Sequence, residues 1–237
     1  MIEIIQDYWQ AYLWSDGYRL SGVAMTLWLL ILSIAFGFVL AVPLAIARVA
    51  RNPLIRGPVW LYTYVFRGTP LYIQLLLFYS GVYSLHVVRG NQLLDAFFRE
   101  GFNCTVLAFA LNTCAYTTEI FAGTIRSIPY GEVEAARAYG MSRFMLYRRI
   151  IVPSALRRAL PFYSNEAILL LHATTVAFTA TVPDILKVAR DVNSATYASF
   201  EAFGIAALLY ACIAFVLVWL FRRFEIRWLA FMKPQGH

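Results

Sequence analysis

Residues 22–47 read GVAMTLWLLILSIAFGFVLAVPLAIA and contain no charged side chain. A helix needs about 20 consecutive apolar residues to cross the hydrocarbon core of a bilayer, and this stretch is longer than that. Only helices and closed barrels satisfy their backbone hydrogen bonds inside lipid. The stretch therefore predicts a transmembrane helix and an all-α membrane protein.

Four further apolar stretches meet the same length criterion. The five predicted spans are residues 22–47, 59–83, 104–125, 160–182 and 202–221. Composition agrees, because 61% of the 237 residues are hydrophobic, whereas about half is usual in soluble domains. The odd number of spans puts the two termini on opposite sides of the membrane. We expect one domain, residues 1–237, whose only sizeable loop is the polar segment 126–158.

The basic residues predict the orientation. Of the 20 Lys and Arg residues, 14 lie in the first and third loops and the carboxyl-terminal tail, and five lie on the other side. Short cytoplasmic loops carry the excess of positive charge, so the amino terminus is predicted outside and the carboxyl terminus inside. Topology and anionic lipid thus explain the pI of about 9.5, and nucleic acid is not an expected partner.

Two other classes of feature are not indicated by the sequence. The opening MIEIIQDYWQ lacks the basic flank and the cleavage pattern of a secretory signal, so Met1 is expected to be the start. The three cysteines, Cys104, Cys114 and Cys212, are odd in number and far apart, which favours packing roles over disulfides or metal binding.

The third loop predicts two short helices. Glu132 and Glu134 begin the first helix, Ala135, Ala136 and Ala138 continue it, and Gly140 permits the turn that ends it. A second helix is expected from Ser142, as its cap, to Ile150 and Ile151, ending before Pro153. The small side chains suit either close docking of another protein or a helix lying on lipid headgroups, and physical arguments alone do not separate the two.

The same loop carries a family resemblance. EAARAYGMSRFMLYRRIIVP resembles the signature of ABC importer permeases, with the matching positions Glu134, Ala135, Ala136, Gly140, Ile150 and Pro153. FRGTPLYIQLLLFY, residues 66–79, and AYTTEIFAGTIRSIPYGEVEAARAYG, residues 115–140, look like the polar-amino-acid subfamily. The whole chain is similar to M-type permease subunits of transporters for histidine and for lysine, arginine and ornithine.

The resemblance implies an importer subunit of the bacterial inner membrane. Residues 134–140 would form a coupling helix on a cytoplasmic ATPase, present in two copies. The chain lacks a GxxxxGK[ST] phosphate loop, so ATP and Mg²⁺ are expected on that partner and no cofactor on this chain. A periplasmic amino-acid-binding protein and a paralogous permease, or a second copy of this chain, complete the expected assembly.

Three ionisable residues lie within the predicted spans: Arg67, Glu119 and Glu166. Charged groups at membrane depth are costly and mark functional sites or internal ion pairs. We expect Arg67 to pair with Glu119 or Glu166. A carboxylate left over would attract a cationic substrate side chain, and Glu166 is the better candidate.

Other polar and helix-breaking residues accompany these charges. Asn112, Thr113, Asn165, His172, Thr174 and Thr175 could bind a substrate's amino and carboxylate groups, or could join helices by hydrogen bonds. Gly68, Thr69 and Pro70 are expected to interrupt the second span, and Pro43 the first, which suits a cavity lining or hinge as well as a packing kink.

Two other function classes fit less well. An intramembrane enzyme would need a paired catalytic constellation at depth, and the two buried Glu residues lie on different spans without one. A channel would not need the docking loop. Binding of an ATPase by the cytoplasmic loop is the observation that separates a transport subunit from both classes.

Overall fold

The computed structural model describes residues 2–228, and within them the chain is nearly all helix, without a named strand. Met1 and the tail residue Lys233 lie outside the described residues. The helices, in chain order, are α1 (Ile2–Leu13), α2 (Gly22–Arg48), α3 (Pro53–Gly68), α4 (Leu71–Leu76), α5 (His86–Arg89), α6 (Gln92–Arg99), α7 (Gly101–Arg126), α8 (Tyr130–Ala138), α9 (Arg143–Leu146), α10 (Val152–Ala173), α11 (Ile185–Thr196) and α12 (Ser199–Trp228). Two helices of the described part, α2 and α12, are long and apolar enough to cross a membrane.

Small residues on α2 bring it close to α7, and these two helices form the most extensive contact of the bundle. Gly37, Ala41 and Ala45 recur every four residues along one face of α2 and are all buried. A Cβ added at Gly37 would lie 2.5 Å from the Thr113 side chain of α7. Close approach through small residues is the usual way for helices to pack in lipid, where no hydrophobic effect drives them together.

The second predicted span is broken as expected. α3 ends at Gly68, Thr69 is extended, and α4 begins after Pro70. The buried amide of Gln74 closes the gap, since its Nε2 donates to the carbonyl oxygens of Phe66 at 2.8 Å and Thr69 at 3.0 Å. Backbone carbonyls freed by the break are thereby satisfied inside the protein.

Non-α windings, which the sequence did not predict, occur in three places. α4 continues as a π-helix over Leu77–Val82, and α10 is followed by a 3₁₀-helix over Thr174–Ala180. A π turn over Tyr147–Ile151 also joins α9 directly to α10, so the second loop helix does not end before Pro153. Pro153 lies two residues after the π turn, inside this continuous helical run, where it has no N–H to donate.

Pro43 does not interrupt α2, which runs without a break from Gly22 to Arg48. The prediction of a break there was wrong. Transmembrane helices tolerate proline when neighbouring helices hold the segment in place, and α7 packs along this one.

One end of the bundle is fastened by a buried carboxylate. Asp184, with no exposed surface, caps α11 by accepting from the Lys187 N–H at 3.0 Å, and it accepts from the Tyr210 hydroxyl of α12 at 2.9 Å. The backbone N–H of Gly22 donates to Pro183 O at 2.9 Å. The first residue of α2 and the Tyr210 side chain of α12 are thus tied to the segment that follows the 3₁₀-helix.

The same segment lies tightly against the start of α7. A Cβ at Gly101 would lie 1.9 Å from the backbone oxygen of Ala180, whereas a Cβ at Gly123 of the same helix would meet nothing within 4 Å. Gly101→Ala is therefore expected to lower the free energy of unfolding by about 1–3 kcal/mol through overpacking. Gly123→Ala is the matched control and is expected to be neutral or slightly stabilising. Thermal unfolding of the purified protein in detergent measures both, and equal effects would contradict the tight contact.

Candidate functional site

Glu166 lies in the interior between α10 and α7. Its side chain is 7% exposed, and Oε1 accepts a hydrogen bond from Thr113 Oγ1 at 3.1 Å. Within residues 2–228, no Lys, Arg or His nitrogen lies within 4.0 Å of this carboxylate. Glu166 is thus a buried carboxylate without a direct ion-pair partner in the described part of the chain.

Glu119 has a different environment. Its Oε1 accepts from Arg48 Nε at 2.6 Å and from Thr63 Oγ1 at 2.7 Å. The predicted pair between Arg67 and Glu119 or Glu166 is therefore wrong. Arg48, which the sequence placed in the first loop, belongs to the last turn of α2 and lies beside α7 because the two helices pack closely.

Arg67 lies at the end of α3 and is exposed on the surface of the single chain. Its guanidinium is 5.2 Å from the centre of the Tyr116 ring, and the Tyr116 hydroxyl donates to Arg67 O at 3.3 Å. Within the described residues, the Arg67 guanidinium forms no ion pair with Glu119 or Glu166. Arg67 thus places an exposed cation at the break that Gly68, Thr69 and Pro70 make.

The remaining candidates divide between the interior and the surface. Thr174 is buried and donates to Leu171 O at 2.7 Å, while Thr175 donates to His172 O at 2.7 Å, so both hydroxyls bond to their own helix. Asn165 and His172 are exposed on α10. The structure brings Glu166 together with Thr113, and it leaves Asn165 and His172 facing outward from the chain.

Sequence reasoning missed the part that Gln74 plays at the helix break. Asn112 Nδ2 donates to Phe66 O at 3.0 Å and to Gln74 Oε1 at 3.1 Å, so the two amides together hold the broken ends. The sequence did contain a signal for this role, since Gln74 is an amide residue four positions after the predicted Gly-Thr-Pro break. Asn112 acts here as a bond between helices, one of the two roles expected for it.

The third loop has a small hydrophobic core and an exposed face. Ala136 is buried in a cluster with Ile128, Leu146, Ile151 and Ala155, and Ile150 packs against that cluster. Glu134, Ala135 and Gly140 are exposed, and Ala138, whose role beyond helix formation was not predicted, is exposed as well. Ala138 is two residues, or about 200° of helix rotation, from Ala136, and so lies on the opposite face. α8 therefore offers a free face of small side chains.

Local bonds hold this free face in position. Gly140 adopts φ +74°, the left-handed conformation predicted for the turn after α8. The Ser142 hydroxyl caps α9, accepting from the Met145 N–H at 3.3 Å, as the sequence predicts. An ion pair between Arg158 Nη2 and Glu132 Oε1, 3.0 Å long, joins α8 to α10. α8 is thus fastened directly to the helix that carries Glu166.

Comparisons with known proteins agree with this geometry. The family model for the "binding-protein-dependent transport system inner membrane component" matches residues 33–229. The histidine/lysine/arginine/ornithine transport system permease protein HisM of Salmonella typhimurium is 69% identical over 229 residues, covering 97% of each chain. HisM of Escherichia coli is 67% identical over 236 residues, covering 100% of this chain and 99% of the relative.

A solved structure supports the same assignment. The chain of an amino acid ABC transporter with histidines superposes with a TM-score of 0.74 at 32% identity, covering 86% of this chain and 90% of the other. The family match covers most of the sequence, and the identity to HisM extends over nearly its full length. The chain therefore belongs to the inner-membrane components of binding-protein-dependent transport systems, and it is a permease subunit of an amino-acid ABC importer.

Proposed function

We propose that the chain crosses the inner membrane five times, with its amino terminus in the periplasm and its carboxyl terminus in the cytoplasm. α2 and α12 supply two spans, and the others are α3 with α4, α7, and α10 with the 3₁₀-helix. α7 has 26 residues and so measures about 39 Å, enough to cross despite its threonines and asparagine. The distribution of basic residues supports the orientation.

The proposed cargo is a basic amino acid: histidine, arginine, lysine or ornithine. The observation that carries this proposal is the buried Glu166, which has no direct cationic partner among the described residues. A carboxylate held at membrane depth favours a cationic side chain and repels an anionic one. The substrates printed in the names of the HisM relatives support the same class.

The proposed path runs beside the break in the second span. Arg67, at that break, supplies an exposed cation and Glu166 a carboxylate, and a basic amino acid carries both a carboxylate and a positive side chain. Asn165 and His172 of α10 and Thr175 of the following 3₁₀-helix are further candidates for the path, since polar side chains at this depth suit a water-filled cavity. The Glu119 carboxylate is occupied by Arg48 and Thr63, which leaves Glu166 as the preferred carboxylate.

The energy for transport is proposed to come from partner chains. Two copies of an ABC ATPase would hold ATP and Mg²⁺, while this chain binds neither and performs no catalysis. The free face of α8 would dock on the ATPase. A periplasmic binding protein would deliver substrate, and a paralogous permease, or a second copy of this chain, would complete the path.

Glu166→Gln tests the proposed substrate class. In proteoliposomes with the partner subunits, ATP inside and binding protein outside, the variant is expected to take up arginine and lysine about tenfold more slowly, the effect of losing one charged contact. Thr113→Val is the matched control, because it removes the hydrogen bond to Glu166 but keeps the charge. Unchanged arginine uptake by Glu166→Gln would show that the carboxylate is structural and that the proposed site is wrong.

A further inference from the structure

A cavity of about 490 Å³ opens beside the junction of α9 and α10. Its lining consists of Ile46, Arg143, Phe144, Tyr147, Arg148 and Val152. Ile46 comes from the last turn of α2, and the other residues come from α9, the π turn that follows it and the first residue of α10. The cavity therefore has a predominantly apolar wall, with the side chains of two arginines and no acidic side chain in its lining.

The two arginines are free to bind an anion. Both are exposed, and in the described part of the chain neither has a carboxylate oxygen within 4.0 Å. A second basic cavity nearby, of about 330 Å³, is lined by Arg48, Pro53, Arg56, Gly57 and Trp60. That cavity is less suited to an anion because Glu119 already neutralises Arg48.

The apolar wall of the cavity favours a lipid over a free anion as its ligand. Phe144 is 74% exposed beside the two arginines, and Ile46 lies two residues before the end of α2. In the proposed topology, on which this inference rests, α2 leaves the membrane at its cytoplasmic side here. The arginines then lie at the level of the headgroups, and Ile46 and Val152 lie at the level of the acyl chains. Basic pockets between helices at this level bind anionic headgroups.

We infer that this cavity binds an anionic phospholipid of the inner leaflet, with its headgroup phosphate between Arg143 and Arg148. Guanidinium groups bind phosphate oxygens through paired, charge-assisted hydrogen bonds. The acyl chain covers the apolar wall that Ile46, Phe144 and Val152 present. The bound lipid fills the space between α2 and the loop that carries the coupling helix.

The test measures lipid affinity of the assembled transporter in nanodiscs, using fluorescent phosphatidylglycerol and phosphatidylcholine as probes. Arg143→Gln combined with Arg148→Gln is expected to weaken phosphatidylglycerol binding about tenfold, because it removes both guanidinium groups that would bind the headgroup phosphate. Phosphatidylcholine binding should stay unchanged. The matched control is Arg222→Gln combined with Arg223→Gln, which removes the same charge from the end of α12 and should change phosphatidylglycerol binding less than about twofold.

Three results would overturn the inference. Undiminished phosphatidylglycerol binding by the pocket variant rules out the site, and equal losses in both variants indicate general charge attraction. Competition by inorganic phosphate as effective as that of phosphatidylglycerol indicates a free-anion site. Arginine uptake by the wild type in proteoliposomes is measured separately, so that failure of the proposed transport function is distinguished from failure of the lipid site.

Discussion

Ala138→Trp is expected to reduce ATP-driven arginine uptake at least about 100-fold, equivalent to about 2.7 kcal/mol of coupling. Ala138 lies on the exposed face of α8, opposite the buried Ala136, so an indole ring there would project away from the loop's hydrophobic core and should leave the fold intact. The ring would hold the ATPase away from a face whose small side chains allow close approach. Uptake into proteoliposomes and co-purification of the ATPase measure the effect.

Ala138→Ser is the control for this experiment. It keeps the small side chain and changes only polarity, so uptake and ATPase association should remain near wild type. Thermal unfolding of both variants separates a docking defect from a folding defect. Normal uptake by a stably folded Ala138→Trp protein would show that the free face of α8 is not the docking surface.

Breaking the pair of Arg48 and Glu119 is expected to give the largest loss of stability. Their side chains are 15% and 17% exposed, and removing one partner leaves a buried charge without compensation. Arg48→Met and Glu119→Leu should each lower the free energy of unfolding by about 3–5 kcal/mol. The double variant removes both charges and should be far closer to wild type, since apolar replacements of a buried pair are often neutral or stabilising. Unfolding in mixed micelles measures all three.

A surface ion pair supplies the comparison. Arg19 and Asp16 are 60% and 34% exposed, so Arg19→Met should change stability by no more than about 1 kcal/mol. If Arg48→Met costs as little as Arg19→Met, the pair is solvated and does not stabilise the contact between α2 and α7. If the double variant is as unstable as the single variants, the loss comes from packing and not from the unpaired charge.

The sequence predicted best those features that depend on neighbouring residues. The break at Gly68, Thr69 and Pro70, the left-handed Gly140 and the Ser142 cap each follow from local backbone chemistry, and each is confirmed. The family assignment also succeeded, because the loop motif is short and contiguous. The lack of a break at Pro43 depended on packing by α7, which local rules do not describe.

Pairing between distant residues could not be read from the sequence. Arg48 and Glu119 are 71 positions apart, and their contact depends on how closely small residues let α2 approach α7. The sequence favoured Arg67 as the partner because it is the basic residue within the predicted spans. Position along the spans does not show which helices face each other. The sequence also did not show that Ala136 of the motif is buried while Ala135 is exposed, because this depends on the hydrophobic core within the loop.

The π turn at Tyr147–Ile151 means that a change in the winding of the third loop would have a fixed size. A π hydrogen bond closes a ring one residue longer than an α hydrogen bond. If this turn tightens to α-helix, everything beyond it rotates by about 100° and shifts by about 1.5 Å along the axis. The rotation would carry the Glu166 side chain to a different face of the bundle. A motion of α8 that tightened the turn would therefore reach α10 as a single step of fixed size, because an intermediate winding would lack a complete set of backbone hydrogen bonds.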